Sequence, residues 1–456
     1  MTFSVVVLAA GKGTRMKSKL PKVLHPIADK PMVQHIIDTV NTLGAESIHL
    51  IYGHGGEQLQ SALAHNQLNW CLQSEQLGTG HAVQQAVPHI KDDEDVLILV
   101  GDAPLIKAQT LQQLIDVKQQ SDLALLTVEL DDPTGMGRII RDGENVTAIV
   151  EHKDATDAQR QIKEINTGMM IMGGADLKRW LSALNSDNAQ GEFYLTDVIE
   201  MAANEGKVIK ASHPTSSVEV EGINNRKQLA MIERAYQLEN AENLLMEGLY
   251  ILDPHRFDLR GKLSFGIDCS IDVNVIVKGK VELGNNVKIG PNCILIDCQI
   301  GDDSVIEANS IIEQAELHSG CSVGPYARLR PGAVMHDKSK VGNFVEMKKT
   351  VLGKGSKANH LTYLGDTLVG EGANIGAGTI TCNYDGVNKS TTEIADNAFI
   401  GSNTALVAPV KVGKMATVGA GSTISRDVEE AELAITRAKQ LSFNNWKRPT
   451  KLTKEN

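Results

Sequence analysis

Two different periods divide this chain. Up to about residue 225, short apolar runs alternate with amphipathic stretches. Val5–Ala9, Ile48–Ile51, Val96–Val100 and Leu123–Val128 are apolar runs bounded by Gly, Asp or Asn, the pattern of buried strands. Between them Val33, Ile36, Ile37, Val40 and Leu43 recur at helical spacing, with Pro31 to open the helix and Gly44 to close it. Leu111, Leu114 and Ile115 predict a second helix, and Leu195, Val198, Ile199 and Ala202 a third that ends at Gly206. Strands alternating with helices predict a largely parallel, Rossmann-like α/β sheet. The Asp142-Gly143 turn between alternating residues adds a hairpin, which makes the sheet mixed.

Residues 226–248 carry no strand signal and are rich in helix formers, so they predict a linker helix ending at Gly248. From about residue 250 an aliphatic residue directly followed by glycine recurs at 283, 289, 300, 323, 341, 352, 364, 369, 375, 400, 412 and 418. Many of the gaps are six or a multiple of six, and 22 of the 41 glycines lie between 261 and 426. A six-residue period supplies one short strand and one tight corner, and three such units close a triangular coil. The aliphatic points inward; the glycine relieves crowding and permits unusual φ at the corner. Stacked coils rise by the ordinary strand separation. The polar run 382–397 interrupts the hexads and predicts a loop projecting from the prism. The expected domains are therefore 1–225, the linker helix 226–248, and the repeat domain 249–456.

Composition narrows the function. A net charge of −11 excludes a broad nucleic-acid surface, which needs clustered Lys and Arg. Aromatics are 4% of the chain, which suits a prism too narrow for large rings. The six cysteines include no C-x-x-C pair, so buried reduced thiols are expected in place of zinc or disulfides. The N-terminal apolar run lacks a basic flank and stops at a glycine loop, so neither a signal peptide nor a membrane span is expected, and the location expected is cytoplasmic.

Candidate chemistry begins where the first strand meets that loop. Leu8, Ala9, Ala10, Gly11, Lys12, Gly13, Thr14, Arg15 and Met16, followed by Pro21-Lys22, form a strand and a glycine-rich loop that offers backbone N–H groups to phosphate. Neither the Walker pattern nor the dinucleotide G-x-G-x-x-G is present. The run is similar to the signature of sugar-nucleotide transferases. That resemblance implies that Gln73, Gly78 and Thr79 read the nucleotide base. A Gln amide can donate and accept at once, matching uracil. Asp102 follows a sheet strand at its carboxyl end; the resemblance pairs it with Asn224 on Mg²⁺, and sets Gly137, Glu151 and Asn166 against the sugar. Both reactants are anionic, so Arg15, Lys22 and the metal neutralise and align them. No general base is needed, because the attacking phosphate oxygen is already ionised.

The repeat domain resembles the left-handed parallel β-helix of hexapeptide-repeat proteins, and the family supplies the hand. Arg330 and Lys348 are separated by three hexads, one full coil, so they stack on one face; His360 follows two hexads further on. Two stacked cations suit a phosphate, and an imidazole supplies a base. With 359–366 and Cys382-Asn383-Tyr384-Asp385-Gly386, the stretch resembles the acetyltransferase half of the bacterial family of bifunctional N-acetylglucosamine-1-phosphate uridyltransferase / glucosamine-1-phosphate N-acetyltransferases. The resemblance runs the whole length. It implies acetyl transfer from acetyl-CoA to the 2-amine of glucosamine 1-phosphate with His360 as base, then uridylyl transfer from UTP to N-acetylglucosamine 1-phosphate. It sets Arg330, Lys348, Tyr363 and Asn374 on the sugar phosphate, and Ala377, Asn383, Tyr384, Ser402, Ala420 and Arg437 along acetyl-CoA. It also implies a homotrimer built through the β-helix. The competing reading is a transferase with a single activity, whose β-helix only trimerises; a scaffold has no need of the Arg330, Lys348 and His360 cluster.

Overall fold

The computed structural model describes residues 2–53 and 55–450. The chain divides into two compact units, Met1–Glu239 and Asn240–Asn456. The helix Arg226–Met246 runs through the division; its Ile232 belongs to the first unit's core, its Ala241 and Leu244 to the second's.

In the first unit, among the described residues, the main path of the sheet runs Ile209–Ser212, Leu123–Glu129, Glu164–Gly173, Asp95–Val100, Phe3–Leu8, Ser47–Tyr52, Asn69–Leu72. Phe3–Leu8 pairs in parallel with both neighbours, and Glu164–Gly173 runs antiparallel between its two. The sheet is therefore mixed, with the reversal one strand from the phosphate loop. Val5 and Val7 face one helical layer while Val6 and Ile98 face the other, so the strand is buried on both sides. That is why the sequence shows continuous apolar runs there and no alternation. Helices form at Met32–Asn41, Ala108–Lys118 and Asp197–Asn204. Leu195 falls just before the last of these, since Thr196 is its cap. Gly143 turns at φ 61° between the antiparallel strands Arg138–Asp142 and Asn145–Val150.

The second unit is a parallel β-helix. Ser322 pairs with Lys340, a coil of three full hexads, but Lys288 pairs with Val305 and Val305 with Ser322, coils that each fall one residue short. The period is thus looser than strict hexads. A missing residue is absorbed at a corner, because register is set by the inward aliphatics and not by coil length.

Two expectations about this unit change. The glycines after the aliphatics mostly have ordinary φ. Their role is clearance: a Cβ on Gly290 would lie 2.9 Å from Ala308 N, and one on Gly401 would collide with Ala420 N. Positive φ falls instead further along the corner, on Asn292, Asn309, Tyr326, Phe344 and Leu361 at 51–60° and on Gly378 and Gly421 at 75° and 73°. The projecting segment is also shorter than 382–397. Ile380–Cys382 and Thr392–Ile394 both remain strands of the prism, and what projects between them is a small hairpin closed by the Tyr384–Lys389 bridge. Paired strands bury backbone groups that a loop would leave open.

All six cysteines are free; five are buried and Cys382 is half-buried. Burial pushes the Cys293 thiol up to about 11 and that of Cys298 to about 12. Among the described residues no helix is long and apolar enough to cross a membrane.

Candidate functional sites

The phosphate loop leaves the sheet at Leu8. Gly13 turns at φ 59°, and a Cβ there would lie 2.6 Å from Lys22 Cβ. Glycine thus lets the lysine stem lie against the loop and aim its ammonium back across it. Lys22 Nζ donates to Asp102 Oδ2 and, at 3.3 Å, to Asn224 Oδ1. Arg15 reaches the same Asn224 oxygen at 2.8 Å. Asp102 is held from behind, its carbonyl accepting Ile223 N–H at 2.9 Å. Two oxygen donors from distant parts of the chain therefore converge on one cationic point.

Leu8, Ala9, Ala10 and Gly11 line a cavity of about 280 Å³, closed by Lys22, Gln73, Gly78, Thr79 and Asp102. Gln73 is buried, and its Nε2 donates to the Gly78 carbonyl at 3.1 Å and lies 3.1 Å from His81 Nδ1. With His81 in the tautomer whose Nδ1 accepts, both amide hydrogens are engaged and only Oε1 is left, as an acceptor, where the residue type alone allowed both roles. Arg15 does not line this cavity. Asn224 faces a separate pocket of about 320 Å³ with Asp132 and Gln228.

A second cavity of about 210 Å³ shares Leu8, Thr79 and Val100 with the first and brings together Gly137, Glu151 and Asn166. Asn166 N–H donates to the Gly137 carbonyl at 2.9 Å, so the strand Glu164–Gly173 fixes both. Glu151 accepts from the Thr196 hydroxyl at 3.3 Å. Burial raises the pKa of its carboxyl, and the charges of Asp154 and Asp197 act in the same direction. Asp197 is pushed up to about 6, by burial first and then by Glu200 and Asp154.

In the β-helix, Arg328 pairs with Glu346 and Leu329 with Met347, so Arg330 and Lys348 stack one coil apart. Arg330 also grips Glu346 at 2.7 Å, which holds its guanidinium above the usual range. Lys348 is drawn below its ordinary value by Lys389 and then Arg330. Three cations thus face one another with too little compensating charge. Lys389 escaped sequence reasoning; its signal was a lysine inside the segment that breaks the repeat. Tyr363 pairs with Glu346 in the next coil, beside the stack. Asn374 lies on a different strand column, paired with Lys357 and Phe399.

His360 pairs in register with Asn343, and its Nδ1 lies 2.7 Å from Asn343 Oδ1. Since an amide oxygen only accepts, the ring carries its hydrogen on Nδ1 and leaves the Nε2 lone pair free. Asn343 too was missed, because a coil one residue short of three hexads is invisible to a search by hexads. Above His360 the corner contacts repeat: Gly378 N–H to the His360 carbonyl, Asn403 N–H to that of Ala377, Gly421 N–H to that of Ser402. His360, Ala377, Ser402 and Ala420 thereby form one column, and Arg437 donates to the Ala420 carbonyl at 2.8 Å. Asn383 ties to Asp366 at 2.5 Å, and the Tyr384 hydroxyl donates to the Gly386 carbonyl at 2.5 Å within the hairpin.

Comparison with known proteins follows the same division. Residues 5–169 match the MobA-like NTP transferase domain, and residues 280–314 and 392–426 match the hexapeptide repeat of succinyl-transferase. Over 451 residues the chain is 74% identical to the bifunctional protein GlmU of Pseudoalteromonas atlantica, covering 99% of this chain and 100% of that one. Among solved structures, a UDP-glucose pyrophosphorylase complexed with UDP-glucose is 19% identical, covering 52% of this chain and 98% of that one, at a TM-score of 0.42. A putative glucose-1-phosphate thymidylyltransferase from Bacillus anthracis is 18% identical over 51% of this chain and 94% of that one, with a TM-score of 0.42.

Proposed function

The chain belongs to the family of bifunctional GlmU proteins, and on that premise we propose how its residues divide the two reactions of UDP-N-acetylglucosamine synthesis. The enzyme acetylates glucosamine 1-phosphate and then couples the product to UTP. What supports the division is that the cations Arg330, Lys348 and Lys389 and the imidazole of His360 lie in the second unit, and the Lys22, Asp102 and Asn224 convergence in the first.

Acetyl transfer belongs to the second unit. Arg330, Lys348 and Lys389 hold the sugar phosphate, with Tyr363 beside them; Asn374 is assigned by resemblance alone. The 2-amine attacks the thioester carbonyl, His360 Nε2 takes its proton, and the CoA thiolate leaves. Asn343 keeps the imidazole in the tautomer that can do this. Acetyl-CoA lies along the column Ala377, Ser402 and Ala420 towards Arg437, with Asn383 and Tyr384 on its flank.

Uridylyl transfer belongs to the first unit. Leu8 to Gly11 take the triphosphate, Gln73, Gly78 and Thr79 the base, and Gly137, Glu151 and Asn166 the sugar. A phosphate oxygen attacks the α-phosphorus and pyrophosphate leaves, with Lys22 and Arg15 offsetting the charge that gathers. Asp102 and Asn224 would hold Mg²⁺: their oxygens are hard donors, and they already converge on a cation, the Lys22 ammonium. Two protein ligands suit an ion that keeps its waters and binds phosphate. Bound there, the metal supplies charge neutralisation between the two phosphates.

We also assign a cytoplasmic location and a homotrimer through the β-helix. Tyr326, Phe344 and Leu361 support the trimer: they stand 54–64% exposed in one corner column beside His360, and Tyr326 and Phe344 stack at 5.4 Å. An exposed apolar stripe of this kind suits a second copy of the chain.

Separate assays test the division. His360→Ala should abolish thiol release from acetyl-CoA and leave pyrophosphate release from UTP within twofold. Asp102→Ala should do the reverse. Loss of both activities in either variant would sink the assignment.

A further inference from the structure

Gln73 is 3% exposed, and its amide is not free to turn. One amide hydrogen goes to the Gly78 carbonyl; the other points at His81 Nδ1, 3.1 Å away. For that second contact to be a hydrogen bond, Nδ1 must offer its lone pair, so the His81 proton sits on Nε2. His81 is itself held in place. Its carbonyl accepts Gln85 Nε2 at 2.8 Å, and its ring packs beside Phe193 with centroids 6.5 Å apart. Phe193 N–H in turn donates to the Leu77 carbonyl at 2.8 Å, which closes the segment around the amide.

The consequence is directional. With both hydrogens engaged, Oε1 is the one polar atom that the Gln73 side chain leaves to the 280 Å³ cavity. A base facing it has to donate. Uracil offers N3–H at that edge; cytosine offers a lone pair at the same position, and two acceptors facing each other repel. We propose that His81 is a positioning residue that holds Gln73 as an acceptor and thereby sets the discrimination of uracil from cytosine nucleotides. This rests on the reading of Gln73 as the base contact. Without an acceptor at position 81, only the bond to the Gly78 carbonyl still opposes a half-turn of the amide, and once turned its NH2 faces the cavity and can donate to cytosine N3. One neutral hydrogen bond is worth about a fivefold change in such a preference.

The test is kcat/KM for pyrophosphate release from UTP and from CTP, with full-length enzyme and saturating N-acetylglucosamine 1-phosphate. His81→Phe keeps a ring against Phe193 and removes the acceptor; the UTP to CTP ratio should fall about fivefold, mainly through KM. His81→Asn carries an oxygen near the position of Nδ1 and should keep the ratio within twofold of the parent. Acetyl transfer, measured on the same samples, should stay unchanged in both and reports the amount of intact second unit, while thermal melting followed by loss of UTP turnover reports folding of the first; if the Phe variant does not fold, His81→Leu takes its place. An unchanged ratio in the acceptor-free variant, or an Asn variant as impaired as the Phe one, overturns the inference. Gln73→Ala separates the two readings. If it leaves the ratio intact, the base contact lies elsewhere and the role of His81 falls with it; if it lowers the ratio while His81→Phe does not, only His81 is excluded.

Discussion

Removing the Asn343 side chain should slow acetyl transfer about tenfold and leave uridylyl transfer alone. Asn343 Oδ1 lies 2.7 Å from His360 Nδ1, and only the difference between its ground-state and transition-state strength affects the rate. With a neutral imidazole the hydrogen bond contributes about 1 kcal/mol; with the imidazolium that forms as the amine loses its proton, about 2 kcal/mol. The difference, about 1 kcal/mol, is roughly fivefold in kcat. Losing the tautomer preference halves the fraction of competent rings, which brings the total to roughly tenfold. The assay is thiol release from acetyl-CoA at saturating glucosamine 1-phosphate, with pyrophosphate release as the internal control. KM should move little, because Asn343 lies behind the ring. Asn343→Asp should retain the rate while moving the acid limb of the pH profile upward, since a carboxylate favours the imidazolium. A change below twofold in the Ala variant, or an equal loss of both activities, would show that the Nδ1 contact does not orient the base.

Two further outcomes concern stability. Asp197 has a folded pKa of about 6 against an ordinary value of 3.8, so folding favours its protonated form; the resulting penalty is absent below about pH 4, grows as pH rises through 6, and is constant above. Asp197→Asn should therefore stabilise the first unit near pH 7.5 by about 1–2 kcal/mol, discounted for partial exposure and for its place at a helix N-terminus, with no gain near pH 4; thermal melting at the two pH values decides. Gly401→Ala drives a methyl into the next coil, against Ala420 N and 2.7 Å from Val418 O, and should cost about 1–3 kcal/mol. Melting should register it, with acetyl transfer lost on heating before uridylyl transfer; an unshifted melt would mean that the coils can separate locally at no cost.

The architecture was legible because both units write their geometry into a period. Strands such as Val5–Ala9 carry enough apolar residues to be read without a partner, and the aliphatic–glycine pairs announce a solenoid. Arg330 and Lys348 were legible for the same reason, being separated by one whole coil. Lys389 and Asn343 were not. Lys389 reaches its partners by way of a hairpin whose path no period encodes, and Asn343 meets His360 across a coil one residue short of three hexads. The repeat glycines were read rightly as relieving crowding and wrongly as turning the chain, since positive φ falls at the corner three residues after the aliphatic, where Asn, Tyr, Phe and Leu also stand. Gln73 was read as both donor and acceptor because the residue type permits both; only the positions of Gly78 and His81 remove one.

The column that rises from His360 to Ala420 works as a gauge. Coils differ in girth, the turn from Asn374 to Phe399 taking in far more chain than the turn from Thr417 to Leu433, yet each adds one strand spacing of ~4.8 Å to the height. The three steps to Ala420, where Arg437 is tethered, therefore span roughly 14 Å however much sequence is inserted around the rim. An acyl donor laid against this column is measured in whole graduations. Lengthening a loop decorates the instrument without recalibrating it, whereas adding or deleting one complete turn would shift the scale by a single division and match the site to a donor of a different length.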